Sequence, residues 1–376
     1  MRTFPWSIRA CLAILLVLLA TLVFSPTAPL AGSISGTAYF PTPKVRLVAS
    51  DGVTRLKPAL RGLGAMGSPA FHHQRNNGIP DNIGDISALP IGIFDVAVVN
   101  VTWRQLESAP GFLTTAAIDE VLETVRNYNE RNPATPLSLR LRVWSGSEAP
   151  DWAKDLGGAP VAVEQHNRLA TIGRFWSDTY RQAWHQLQSG LAKRYDNEPL
   201  IHEVTMTSCA SISSEPFVLP TDKFSIENLQ SAGFTDRAYQ NCLMEAWRDY
   251  ELWGATRIEY PFNPFRGIDS GQLIINWDFS IAAMNTWRRQ MGERGVLSNY
   301  DLKSPLGNRI VPIYEHMKSL GGPIELQLFA PKNLDLEASV AYGISLGAGV
   351  IELWNSVIPS IPVDRLQQWS HELKAR

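Results

Sequence analysis

Residues 323–355 read PIELQLFAPKNLDLEASVAYGISLGAGVIELWN. A run alternating with period two, PIELQLF (323–329), precedes a stretch with helical spacing, LDLEASVAYGISLG, and then a second alternating run, GVIELWN (349–355). Two strands joined through a helix are parallel neighbours, because parallel pairing needs a long crossover. The same unit recurs along the chain. DVAVVNVTW (95–103) precedes TTAAIDEVLETVRNYNER, LSLRLRVW (137–144) precedes a helical region from about Val163 to Lys193, and LIHEVTMT (200–207) precedes FTDRAYQNCLMEAWRDYELW. TRIEYPF (256–262) leads to a helix near Ile281 to Arg294, GVLSNYDL (295–302) leads to RIVPIYEHMKSL, and GVIELWN leads to DRLQQWSHELK. With ALRGLGAMG (59–67) as the first strand there are eight units, and eight units closed on themselves make a single (β/α)₈ TIM barrel of the α/β class.

Period-two alternation also predicts which side chains enter the barrel. Ile324, Leu326 and Leu328 face the helices and leave Glu325, Gln327 and Phe329 inside; Ile351 and Leu353 do the same for Glu352 and Trp354. LSLRLRVW places Arg140, Arg142 and Trp144 inside, and VLSNYDL offers Asn299 and Asp301. A lumen filled only for stability would be Val, Ile and Leu. This one is polar, which reads either as a chemical site or as a buried ion-pair network of Arg140 and Arg142 with Glu325 or Glu352.

The N-terminus carries a different signal. Arg2 and Arg9 precede the apolar run ACLAILLVLLATLVF (10–24), the pattern of a secretory signal, and the run is short for a membrane span. We expect residues 1–31 to be a signal peptide or an N-terminal anchor, 32–55 an extension, and 56–376 the barrel, in a secreted, periplasmic or extracellular protein. A net charge of −2 gives no electrostatic reason to expect nucleic acid as a partner. No membrane contact is expected beyond an uncleaved anchor. Cys209 and Cys242 are left in the mature chain and read either as a disulfide or as two buried thiols. No HExxH, Cys/His cluster, EF-hand, Walker loop or GxSxG elbow occurs, so neither a metal nor another cofactor is expected, and SISS near Glu215 has no evident His partner.

Barrel sites lie at the C-terminal ends of the strands. That rule assigns Asn197 and Glu198 to the bottom face and Glu203, early in its strand, to a structural role. Glu215, eight residues beyond Thr207 in SCASISSEPF (208–217), falls on the catalytic face. Trp103, Trp144, Trp152, Trp277 and Trp354 fall at or after strand ends, where an indole stacks on a sugar ring. The other mature tryptophans sit in helical patterns and read as core. His72 and His73, after the first strand, read either as a loop feature or as sugar hydrogen-bonding groups lining the cleft, rather than as a metal site.

VTWRQLESAPGFL (101–113) resembles the W-x-x-L-E-x-x-P-G segment after strand two of barrel glycoside hydrolases, and LRVWSGSEAPDWA (141–153) is similar to their third strand and A-P-x-W turn. With TSCASISSEPF and GVIELWNS the resemblance runs from about residue 95 to 355. It implies a retaining or inverting hydrolase of extracellular or envelope glycans, with two carboxylates, no metal and an oligo- or polysaccharide substrate; the strand order leans toward retention. A non-catalytic carbohydrate-binding barrel and a transglycosylase are the alternatives. The chain departs from the pattern in that no Asn precedes Glu215 and strand seven ends QLFAP, with Gln327 at the depth expected of a nucleophile. The expected pair is therefore Glu215 as acid and Glu352 as its partner, with Asp301 and Glu325 as the other choices for the second carboxylate. Trp103, Trp144, Trp152, Asn299, Asp301, Gln327, Trp354, His72 and Arg142 are the expected substrate-binding residues.

Overall fold

The alternating runs become eight parallel strands closed into one barrel in the computed structural model, which describes residues 55–67, 86, 89–165, 168–270, 273–329 and 335–376. The barrel strands are β1 (Gly62–Met66), β2 (Phe94–Thr102), β3 (Ser138–Trp144), β4 (Ile201–Thr205), β5 (Arg257–Pro261), β6 (Gly295–Leu302), β7 (Ile324–Leu328) and β8 (Val350–Trp354). Each pairs with its neighbours in sequence, and β8 closes on β1 through Gly62–Val350 to Met66–Trp354. The expected leader and nearly all of the extension lie outside the described residues, as do His72 and His73. Among the described residues no helix is long and apolar enough to cross a membrane.

Helices α1 (Ala116–Arg131), α2 (Asp178–Tyr195), α3 (Lys223–Ser231), α4 (Asp236–Glu245), α5 (Trp277–Met291), α6 (Val311–Leu320), α7 (Leu336–Ser345) and α8 (Val363–Lys374) make up the helical layer. In α1 the apolar residues recur at helical spacing, and Ile118, Val121, Leu122, Val125 and Tyr128 are buried. They meet the outward residues of the strands, such as Val99 and Val101 of β2, in one apolar layer. Trp184, Trp247, Trp253, Trp287 and Trp369 belong to this layer, as their helical spacing suggests, and Trp176 is half-buried against it.

Two expectations are corrected. Helix α2 begins at Asp178, not near Val163: residues 161–165 and 168–172 pair as an antiparallel hairpin, with Val161 and Val163 buried and Ala162 and Glu164 less so. β-Branched residues with period two favour that strand pairing, and the helix starts only where Ser177 caps it by accepting from Tyr180 N. In β6 the inward residues are Ser298 and Tyr300 rather than Asn299. Leu297 and Leu302 both face the outer core although five residues apart, and a register shift between Asn299 and Leu302 accommodates them.

Candidate active site

The inward residues of the strands form an ionic layer. Arg140 from β3 reaches four carboxylates: Glu203 Oε2 at 2.8 Å, Glu259 Oε2 at 3.4 Å, and the side chains of Glu325 and Glu352. One turn of the pleat higher, Arg142 Nη2 donates to Glu352 Oε1 at 2.9 Å and Oε2 at 3.1 Å, its Nη1 to Gln327 Oε1 at 3.3 Å, and its guanidinium lies 4.3 Å from the Tyr300 ring centroid. All of these charged side chains are buried. Gly64 of β1 makes room, since a Cβ there would stand 3.2 Å from Glu352 Cγ. Burial alone would depress both guanidinium pKa values, but the surrounding carboxylates outweigh it and hold them above the ordinary value.

The carboxylates are not equivalent. Glu259 is driven up by burial, but the two guanidiniums more than reverse this, helped by the hydroxyls of Ser298 (2.6 Å) and Thr205 (2.5 Å), so its carboxyl is held below the usual range; Tyr300 donates to it at 2.9 Å. Glu203, with Arg140 as its main support, is pushed by burial up to about 7. Sequence reading missed Glu259. The signal was there, because Ile258, Tyr260 and Phe262 point outward and leave Glu259 on the lumen side of TRIEYPF.

Above this layer the loop after β4 carries Glu215. Its course is over-determined. Cys209 is joined to Cys242 of α4 by a disulfide, Ser208 Oγ donates to Asp249 Oδ2 at 2.6 Å, Ser211 Oγ donates to Val218 O at 2.7 Å, and Ser147 N donates to Ser211 O at 2.8 Å. Cys209 (φ 64°) and Phe217 (φ 71°) sit in the left-handed region on either side of Glu215, and the buried Phe217 ring packs 5.7 Å from Tyr260 and 5.8 Å from Phe262. Strained non-glycine backbone persists only where its surroundings enforce it. The loop lies so close to the turn after β3 that a Cβ on Gly146, itself at φ 56°, would stand 1.9 Å from Ser211 O. Gly146→Ala is expected to destabilise the protein by about 2 kcal/mol or more, because a strained φ is combined with a backbone clash that no side chain can relieve. Thermal unfolding and the rate of proteolytic cutting within 208–217 would check it.

Glu215 is partly exposed at the mouth, and its Oε2 accepts from Asn263 Nδ2 at 2.9 Å. Asn263 is held in turn by Asn299, whose Nδ2 donates to Asn263 Oδ1 at 3.0 Å and whose Oδ1 accepts from Tyr314 at 2.6 Å. Burial of the carboxyl pushes the Glu215 pKa up to about 7; the Asn263 hydrogen bond opposes the rise, and the nearby Asp301 carboxylate adds to it. Asp301 is paired with Lys303 Nζ at 2.7 Å. It lines a cavity of 460 Å³ together with Asn263, Phe217, Arg266, Lys303 and Arg309. The mouth thus offers two neighbouring carboxyl groups, one biased toward its neutral form, beside a cleft large enough for a sugar ring.

Of the residues expected to hold substrate, Asp301 is at this cleft. Asn299 is one layer behind it, fully buried and bonded to Phe262 O, Asn263 and Tyr314, and so supports Asn263 rather than touching a ligand. Trp103 is a correction. It is buried, edge-on to Trp152, Tyr180 and Trp184, and its Nε1 donates to Glu107 Oε2 at 2.8 Å. Glu107 also accepts from Gly111 N at 2.7 Å, so in W-x-x-L-E-x-x-P-G the Trp and Glu brace their own loop. Trp152 donates to Glu107 O at 3.0 Å, and the buried Trp144 donates to Asn100 Oδ1 at 2.9 Å. Trp354 is partly exposed and donates to Leu328 O at 2.8 Å. Arg142 and Gln327 are buried in the ionic layer below the mouth. Glu352 is inside the barrel, where alternation put it, but is fully buried between Arg140 and Arg142. Glu198 caps a bottom-face turn, accepting from Leu200 N at 3.2 Å and Arg126 at 2.7 Å, and Glu203 is a partner of Arg140, as their positions in the chain indicated.

No protein-family model matches the chain, and no curated protein matches it. Solved structures do. Endoglycoceramidase II from Rhodococcus sp. is similar over 80% of this chain and 76% of its own, at 16% identity and a TM-score of 0.48. A cold-adapted β-galactosidase from Rahnella sp. R3 matches over 86% of this chain and 57% of its own, at 12% identity and a TM-score of 0.47. An endogalactoceramidase matches over 80% and 71%, at 13% identity and a TM-score of 0.42. At these identities no residue role passes from those proteins to this chain, whose barrel rests on its own strand order.

Proposed function

We propose that this chain is an exported glycoside hydrolase in which Glu215 is the general acid and Asp301 the second carboxylate. The observation that carries the reading is the setting of Glu215: a carboxyl raised to about 7, on a braced loop at the C-terminal mouth, hydrogen-bonded by Asn263 beside the cleft. A group with that pKa still carries its proton in about half of the molecules at neutral pH and can deliver it to a departing glycosidic oxygen. Asp301 replaces Glu352 in this scheme because a nucleophile or base must reach substrate or water, and Glu352 is sealed below the mouth by two guanidiniums. Export is supported by the apolar run at 10–24 and by the Cys209–Cys242 disulfide, a bond that persists in oxidising compartments.

One observation favours a second reading, a barrel that binds glycans without cleaving them: β7 presents Gln327, bonded to Arg142, where a carboxylate would be expected. Turnover of aryl glycosides and polysaccharides by the purified protein, followed against pH, separates the two. A hydrolase shows an alkaline limb in kcat/KM near pH 7, where Glu215 loses its proton. Asn263→Ala removes a donor that stabilises the carboxylate, so it is expected to raise the Glu215 pKa and move the limb to higher pH. A limb that stays in place or moves down removes Glu215 as the titrating acid, and binding without turnover supports the second reading.

A further inference from the structure

The cleft beside Glu215 has an excess of positive charge. Arg266, Lys303 and Arg309 line it against one carboxylate, Asp301. Lys303 is already engaged, with Asp301 at 2.7 Å and with the face of the Phe329 ring at 4.3 Å. That leaves two further guanidiniums lining the cavity, with Asp301, already paired to Lys303, as the one carboxylate among the described residues that line it. Resting on the hydrolase reading for the orientation of the sugar, we propose that this cleft recognises an acidic glycan, with the anionic substituent of one sugar seated between Arg266 and Arg309 and its glycosidic oxygen directed toward Glu215.

The two arginines lie on elements held by packing and hydrogen bonds. Arg266 lies in a short hairpin, Phe265–Gly267 paired with 274–276, whose Phe265 ring packs 4.7 Å from Phe279. The chain after the hairpin is tied down by Ile268 N donating to Asp236 Oδ1 at 2.7 Å. Arg309 precedes Ile310, the N-cap of α6, and its carbonyl accepts from Trp277 Nε1 at 3.0 Å. Burial and the neighbouring Arg309 both depress the Arg266 pKa, and the Asp301 carboxylate, already paired with Lys303, offsets them only in part. Guanidinium groups favour planar oxyanions because they donate in a fixed fork, and a helix N-terminus adds positive potential to the same wall. Phe217, Val218 and Pro264 supply an apolar floor on which a sugar ring can lie. Asn263 belongs both to this wall and to the hydrogen bond on Glu215, so it links recognition to the acid.

The test is binding of the full chain to arrayed oligosaccharides in matched sets: uronate-bearing, carboxyl-reduced, sulfated, desulfated, phosphorylated and dephosphorylated. The expected result is at least tenfold tighter binding to one acidic class than to its neutral counterpart. The set that shows the preference identifies the anion. Arg266→Gln combined with Arg309→Gln should abolish the preference, and the corresponding Lys pair should retain part of it, since charge survives but the fork does not. Unfolding temperatures close to wild type would show that the variants fold. Equal binding of acidic and neutral forms, an acid preference unchanged in the Gln pair, or no binding to any member overturns the proposal. Acid-selective binding without turnover would instead defeat the hydrolase reading alone, and turnover without acid preference would defeat this proposal alone.

Discussion

Arg140→Met is expected to lower the stability of the protein by about 3–5 kcal/mol or to prevent folding. The side chain would fit. The loss comes from Glu203, Glu259, Glu325 and Glu352, which would remain in a water-free lumen with Arg142 as their main source of positive charge. Desolvated carboxylates without a counter-charge either stay ionised at a cost of several kcal/mol or take up protons, which ties folding to pH. The variant should therefore regain stability as pH falls toward 5, because protonation removes the uncompensated charge. Glu203→Gln is the opposite case: it removes one negative charge from a set in which carboxylates outnumber guanidiniums, and should be nearly neutral at pH 8. Urea unfolding at pH 5 and pH 8 measures all of this. Arg140→Met with wild-type stability at pH 8 would show that the ionic layer does not hold the barrel together.

Glu215→Gln is expected to lower kcat/KM by about 10²–10⁴-fold on substrates with poor leaving groups. The amide keeps the shape of the side chain but has no proton to deliver. Aryl glycosides whose phenol leaves readily should lose far less, because their departure needs little protonation. The remaining activity should lack the alkaline limb near pH 7. The fold should be unaffected, since Glu215 is partly exposed and its main side-chain bond, from Asn263, can be replaced by the carboxamide oxygen of Gln. Equal losses on good and poor leaving groups would point to a positioning role, and unchanged turnover would remove Glu215 from the chemistry.

The fold was legible because each barrel strand repeats the same physical requirement. An outward face must meet helices and is apolar at every second residue, so Ile324, Leu326 and Leu328, or Ile351 and Leu353, declare themselves without reference to anything distant. The same rule placed Arg140, Arg142, Glu325 and Glu352 in the lumen. It failed at β6, where counting on from the outward Leu297 puts Asn299 outward and counting back from the outward Leu302 puts it inward, and no local pattern marks the register slip between them.

What the site does with those residues was a tertiary matter. Alternation says that Glu352 points inward, but whether it meets solvent or two guanidiniums depends on β3, more than 200 residues away in sequence. Trp103 and Trp152 both end strands or follow them, yet their burial depends on α2, which brings Tyr180 and Trp184 onto Trp103. Glu215 was picked out by its distance past β4. Its raised pKa, its hydrogen bond from Asn263 and its proximity to Asp301 arise because the loops after β4 and β5 converge with the end of β6 at one end of the barrel. Period and parity are properties of a few consecutive residues and can be read locally; desolvation and charge pairing depend on everything within several ångströms, and only the closed barrel decides which residues those are.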